Sequence, residues 1–203
     1  MSVLRLSENT SNTGPLCFQK HILLCGRRRS GRSTLIHTLL QNVTVPVFGY
    51  ETITMGTRPD GWHEIYLFPY GTENPQKREE NHVADCNTKE RVICTAIFDT
   101  LGVQLLCAPI QGILVMDEIG FMESGAENFC RTILKRLDGD TPVLAAVRTG
   151  MDTPFLRQVM QHKKAHCIEM RPELFKETEQ QLRPIVQAWN DRITEDSRYA
   201  QTY

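Results

Sequence analysis

Gly26-Arg27-Arg28-Arg29-Ser30-Gly31-Arg32-Ser33-Thr34 is the stretch that decides how this chain is read. A short apolar run, Ile22-Leu23-Leu24-Cys25, comes before it. Residues 33–41 follow, with Leu35, Ile36, Leu39 and Leu40 forming one apolar helical face. A buried strand, a glycine-bounded loop and a helix in that order fit the template G-x-x-x-x-G-K-[ST]. The glycines let the backbone bend tightly and approach a ligand. The loop N–H groups then converge on phosphate oxygens at a helix N-terminus, where the dipole favours anions. On this reading Gly26, Arg27, Arg28, Arg29, Ser30, Gly31, Arg32, Ser33 and Thr34 bind phosphate, and the Ser33 hydroxyl is placed for Mg²⁺.

One position departs from the template. Arg32 stands where Lys is usual. A guanidinium keeps the charge but is planar, bulkier and hydrogen-bonds as a fork. Arg27, Arg28 and Arg29 crowd a loop that usually favours small residues. Each either adds a contact to a triphosphate or points into solvent, and solvent is the ordinary outcome for any single arginine.

Further along, Ile113-Leu114-Val115-Met116-Asp117-Glu118 is an apolar run ending in two carboxylates. In an open α/β sheet, ligands sit beyond the carboxyl ends of the strands. That puts Asp117 and Glu118 at the same edge as the loop. Asp117 is then placed to hold Mg²⁺, usually through water. Glu118 is placed to polarise or deprotonate an attacking water. By itself an apolar run ending in Asp-Glu is as readily a plain acidic turn; its force comes from the elements around it.

Those elements alternate. Residues 47–68 read as an antiparallel pair with Arg58-Pro59-Asp60-Gly61 as the turn. Residues 71–91 are charged and aperiodic, so a surface loop is expected. Cys94, Phe98, Leu101, Leu105 and Ala108 predict a core-facing helix weakened by Gly102 and ended by Pro109. Ser124-Gly125-Ala126-Glu127 is a capping-box pattern opening a helix through Phe129, Ile133 and Leu137. Residues 143–147 predict a strand, Asp152-Thr153-Pro154 a helix start, and 166–169 a last short strand. Residues 173–190 predict a helix divided at Pro184. The expected fold is α/β: a mainly parallel sheet with helices on both faces. The expected organisation is a flexible segment at 1–18, one domain at 19–190 and a polar tail at 191–203.

Composition fits one soluble globular domain. The chain has 203 residues, 40% hydrophobic, with a net charge of −1. That balance argues against a nucleic-acid partner. Seven cysteines, with no C-x-x-C pair, predict reduced thiols and a cytoplasmic protein. Residues 1–12 lack an apolar core, so no signal peptide is expected. No apolar run approaches the ~20 residues that span a bilayer, so no membrane partner is expected. His162 and His166 are four apart, but a helix-to-strand break between them argues against a metal pair.

With these residues in place, the sequence resembles the small P-loop nucleoside-triphosphatase family, known from thermophiles and, in animals, as the cancer-related nucleoside-triphosphatase. The likeness rests on the 26–34 loop and on Asp117-Glu118-Ile119-Gly120-Phe121-Met122-Glu123, where the family typically reads D-E-I-G-x-M-E. Pro142-Val143-Leu144-Ala145-Ala146-Val147 and Pro154-Phe155 add to it, and the hairpin between Tyr50 and Leu67 matches loosely. The resemblance covers about residues 20–175. It implies a RecA-like sandwich and slow, Mg²⁺-dependent hydrolysis of several nucleoside triphosphates, ATP or GTP among them, to diphosphates with little choice of base. Carried over by position, Gly26 and Gly31 to Thr34 bind phosphate, Ser33 and Asp117 hold the metal, and Glu118 is the general base. Arg32 takes the place of the family's lysine, and Phe121 stands where lysine is common. Neither Thr52 nor Thr54 matches the family's hairpin acid. Arg148, just past a strand end, is a candidate to stabilise the charge on the transferring phosphoryl group.

Two other functions fit the loop. A nucleotide-binding switch or scaffold with little hydrolysis is favoured by Arg32. A small-molecule kinase needs an arginine-bearing lid, and 71–91 offers only Arg78 and Arg91. No protein partner can be named from the sequence.

Overall fold

Hydrophobic patterning sets the layers. In β1 (His21–Gly26), Ile22 and Leu24 face one side of the sheet while Leu23 and Cys25 face the other, as period-2 geometry requires. Both sides are covered, so every residue of the strand is buried. The structure, a computed structural model, describes residues 20–200. The expected flexible lead-in at 1–18 lies outside the described residues, as does Cys17.

The chain forms one eight-stranded sheet with order β5-β4-β3-β2-β6-β7-β1-β8. The strands are β2 (Val47–Thr57), β3 (His63–Pro69), β4 (His82–Cys86), β5 (Arg91–Ile93), β6 (Ile113–Ile119), β7 (Val143–Arg148) and β8 (Ala165–Glu169). Strands β2, β6, β7, β1 and β8 are parallel. Strands β3, β4 and β5 extend the sheet in antiparallel fashion beyond β2. The α/β P-loop architecture expected from the sequence is therefore present.

Two helices cover one face: α1 (Arg32–Leu40) and α6 (Phe175–Ala200). The other face carries a helical run over 95–106, together with α4 (Glu127–Asp138) and α5 (Pro154–Met160). The 95–106 run has three parts: α2 (Thr95–Ile97), a π-helical stretch (Phe98–Gly102) and α3 (Val103–Leu106). Its middle packs Phe98 on Phe129, which also meets Tyr50. A crevice opens at the carboxyl ends of the strands, because α1 leaves β1 toward one face and α5 leaves β7 toward the other.

Four local expectations need correction. Residues 71–91 are not a bare loop: they contain β4 and the start of β5. The helix near Pro109 already ends at Leu106. The Ser124 capping box does not form. Ser124 sits in a 3₁₀ turn (Met122–Gly125) and its hydroxyl donates to Thr153 Oγ1. Asp99 Oδ1 instead accepts from the Phe129 amide in the first turn of α4. Finally, α6 is not divided at Pro184; it runs from Phe175 to Ala200. Pro184 removes the bond to the Gln180 carbonyl, and both residues are exposed, so water can take the freed acceptor. Among the described residues no helix is long and apolar enough to cross a membrane.

Candidate nucleotide site

The loop is shaped by its two glycines in different ways. A Cβ on Gly26 would lie 2.5 Å from Ser30 Oγ and 3.1 Å from the Met170 carbonyl, so the bend closes only over a bare Cα. Gly31 has φ 89°, a left-handed conformation that starts α1. The backbone around Gly26 is tied down: its carbonyl accepts from the Thr149 amide at 3.0 Å, and the Met170 amide donates to Cys25 O at 2.7 Å. No side chain caps the start of α1, and its first turn holds no acid. The nine-residue helix therefore presents free N–H groups and a positive dipole end to the crevice.

Arg32 folds back over this loop. Its Nε donates to Ser30 Oγ at 3.2 Å, and its Nη2 donates to the Arg27 carbonyl at 3.3 Å and to Glu118 Oε2 at 3.0 Å. The side chain is only 5% exposed. Its Nη1 is buried without a hydrogen-bond partner. A buried donor without an acceptor is costly, and an anionic oxygen is the natural remedy. Arg27, Arg28 and Arg29 are exposed and line the mouth of the cavity, as do Ser33 and Thr34.

Strand β6 carries the acids to the same place. Ser33 Oγ donates to Asp117 Oδ1 at 3.0 Å. Burial pushes the Asp117 carboxyl up to about 6, while the Ser33 hydrogen bond acts in the opposite direction. The Ser33–Asp117 pair offers hard oxygen donors of the kind that suit Mg²⁺. Among the described residues no group of three His, Cys, Asp or Glu side chains is placed to hold a metal ion. Both Glu118 oxygens are engaged: Oε2 by Arg32, and Oε1 by Arg148 Nη1 at 3.3 Å. The Arg148 guanidinium also lies 5.6 Å from the centroid of the Phe121 ring.

These groups line one cavity of about 740 Å³. It runs from the loop past Asp117, Glu118 and Arg148 to a wall that sequence reasoning left without a role. That wall includes Thr52, Thr54, His63 and Ile65 from the β2–β3 hairpin, Asn87 and Thr88 from the β4–β5 turn, and Arg91 at the start of β5. Thr52 Oγ1 also donates to the Asp117 carbonyl at 3.5 Å. The signal for the β4–β5 turn was present: Asn87-Thr88-Lys89-Glu90 has turn composition and lies between Val83-Ala84 and Val92-Ile93.

Comparison with known proteins fits this geometry. A model of the family described as NTPase matches residues 21–181. Two solved structures share the fold. THEP1 from the hyperthermophile Aquifex aeolicus superimposes with a TM-score of 0.61 at 18% identity, over 80% of this chain and 96% of that one. A human cancer-related nucleoside triphosphatase superimposes with a TM-score of 0.59 at 22% identity, over 83% and 98%. At these identities both speak for the fold. A search among curated protein sequences finds no match. With its loop, its strand-end acids and most of its length covered by that family model, the chain belongs to the NTPase family of P-loop proteins.

Proposed function

We propose that the chain is a Mg²⁺-dependent nucleoside-triphosphatase that hydrolyses ATP, GTP and related triphosphates to diphosphate and phosphate with little choice of base. The observation that carries the reading is the meeting of the loop and the β6 acids: Ser33 on Asp117, and Arg32 on Glu118. Loop amides at 26–34 and the α1 N-terminus cradle the phosphates. Ser33 and Asp117 hold the metal, which when bound neutralises phosphate charge. Glu118 takes the proton of a water whose oxygen bonds to the terminal phosphorus as the bond to the bridging oxygen breaks. Arg148 and Arg32 stabilise the charge on the transferring group. The human structure's own description as a nucleoside triphosphatase supports the reaction class.

A second reading has its own observation. Both Glu118 oxygens are held by guanidiniums, which restrains a base. On that reading the chain is a nucleotide-binding switch or scaffold with little hydrolysis. The test is calorimetric titration with ATP and GTP, with and without Mg²⁺, followed by a phosphate-release assay on the same sample. Binding with multiple turnovers supports the hydrolase. Tight binding without release supports the switch, and a large gain in turnover for Arg32→Lys would mark a site that has drifted from catalysis. No binding of either nucleotide rejects both.

A further inference from the structure

One cation in the cavity has no part in the reaction described above. Arg91 opens β5, the edge strand of the antiparallel extension, yet it lines the same cavity as the phosphate loop. Its guanidinium lies 4.5 Å from the centroid of the Phe121 ring, and its Nη1 donates to Met151 Sδ at 3.6 Å. Neither partner is charged. Among the described residues Arg91 has no ion pair with a carboxylate.

The ring that holds Arg91 also holds Arg148, whose guanidinium reaches Glu118 Oε1. Phe121 therefore gathers two guanidiniums on the Glu118 side of the cavity. One is matched by a carboxylate and the other is not. Like charges gathered on one side of a cleft repel each other and raise its affinity for anions, here at a solvent-facing rim, since Arg91 is exposed. The turn before Arg91 is fixed as well, because Asn87 Oδ1 accepts from the amides of Lys89 and Glu90, each at 2.7 Å. A guanidinium fork matches phosphate oxygens in shape and charge.

We propose that Arg91 is a phosphate-binding residue of the wall across from the loop, and that it contacts the terminal phosphoryl group of a bound nucleoside triphosphate. This rests on the nucleotide reading above. On that reading the terminal phosphate is the one that meets the strand-end acid and Arg91, and a diphosphate would lack the group that Arg91 contacts. A residue that only braced the cavity would act on both nucleotides alike.

The test is titration of the full chain and of Arg91→Ala with a non-hydrolysable ATP analogue and with ADP, both in Mg²⁺. The expected result is a loss of about tenfold in analogue affinity, as for one charged hydrogen bond, with ADP affinity little changed. Arg91→Gln, which keeps part of the side chain without the charge, gives the same split, and Arg91→Lys recovers part of the loss. Equal losses for both nucleotides, or none for either, overturn the assignment. If the wild-type chain binds neither nucleotide, the nucleotide reading itself fails, an outcome distinct from a wild type that binds and a variant that is unaffected.

Discussion

Arg32 Nη2 donates to Glu118 Oε2 at 3.0 Å, so the residue in the loop's lysine position is joined directly to the acid assigned as the base. The two lie 86 positions apart in sequence and on different elements, α1 and β6. If the loop binds phosphate as proposed, this bridge couples that binding to the state of the base: an arriving phosphate would compete with Glu118 for the guanidinium and free one carboxylate oxygen.

The base assignment is tested by Glu118→Gln. The amide keeps an oxygen that accepts from a guanidinium but takes no proton from water. Phosphate release is expected to fall by about 10²- to 10⁴-fold, the usual span for loss of a general base. Nucleotide affinity measured by titration should stay close to wild type. Hydrolysis at the wild-type rate would reject Glu118 as the base.

Arg32→Ala removes three contacts, to Ser30, the Arg27 carbonyl and Glu118. It also removes the buried Nη1 that lacks a partner. If that fork binds phosphate, titration should show nucleotide affinity weaker by about 10- to 100-fold, the range for one or two charged hydrogen bonds. Unchanged affinity would make Arg32 a structural clasp of the loop.

Gly102 invites a different mutation. From sequence it weakens a helix, and alanine there would gain about 1 kcal/mol of propensity. In the structure a Cβ at Gly102 would lie 2.6 Å and 2.8 Å from Phe129 ring carbons. Phe129 is fully buried between Phe98 and Tyr50 and has little room to move. Gly102→Ala should therefore destabilise by about 1–3 kcal/mol, seen as a lower denaturant midpoint, because overpacking outweighs propensity. A raised midpoint would show that the ring yields.

The contrast over Gly102 says what was legible in the sequence and what was not. The loop, β1, β6 and β7 could be read because each is a run of apolar residues bounded by its own punctuation. The Asp117-Glu118 edge followed from the general rule for parallel sheets. By contrast, β4 and β5 are short, and their strand character comes from pairing, β4 with β3 and β5 with β4, rather than from local pattern. For that reason Asn87 and Arg91 were missed as cavity residues. The Ser124 pattern misled because the acceptor that serves α4 is Asp99, 30 positions from Phe129 in sequence. Partners so far apart leave no local trace.

Asn190 is such a long-range partner. It is nearly buried on α6, and its Oδ1 accepts from the Thr44 amide, the Thr44 hydroxyl and the Val45 amide. That one oxygen ties the end of the α1–β2 connection to the last helix. Asn190→Ala should cost about 1–3 kcal/mol: three hydrogen bonds are lost, but water can reach the amide of exposed Thr44. Asn190→Asp keeps the acceptor and should cost less. Chemical unfolding of both variants checks the order; equal losses would mean that packing, not the oxygen, matters.

Glu123 supplies the pH prediction. Its carboxyl is fully buried, with Oε2 accepting from the Gly120 amide at 2.7 Å and Oε1 left without a partner. Burial pushes it up to about 7 from an ordinary 4.5, against the pull of its backbone hydrogen bonds. A folded-state value above the unfolded one means that the native protein holds the proton longer. This contribution to stability is complete below pH 4.5 and is lost as pH rises through about 7. His21 acts with the opposite sign. Its ring is buried, with Nε2 2.9 Å from the Leu137 carbonyl, and burial lowers it to about 4 from 6.5. Its contribution is present above pH 6.5 and lost as pH falls toward 4. The two slopes oppose each other where their windows overlap, so the wild-type profile alone hides both. Comparison with Glu123→Gln isolates one of them. The stability of the wild type relative to this variant should fall by a few kcal/mol (on the order of 1.4 kcal/mol per pH unit) between about pH 5 and 7 and level off above. A difference that stays flat across that range would mean that the carboxyl is already ionised when buried, held by the Gly120 amide.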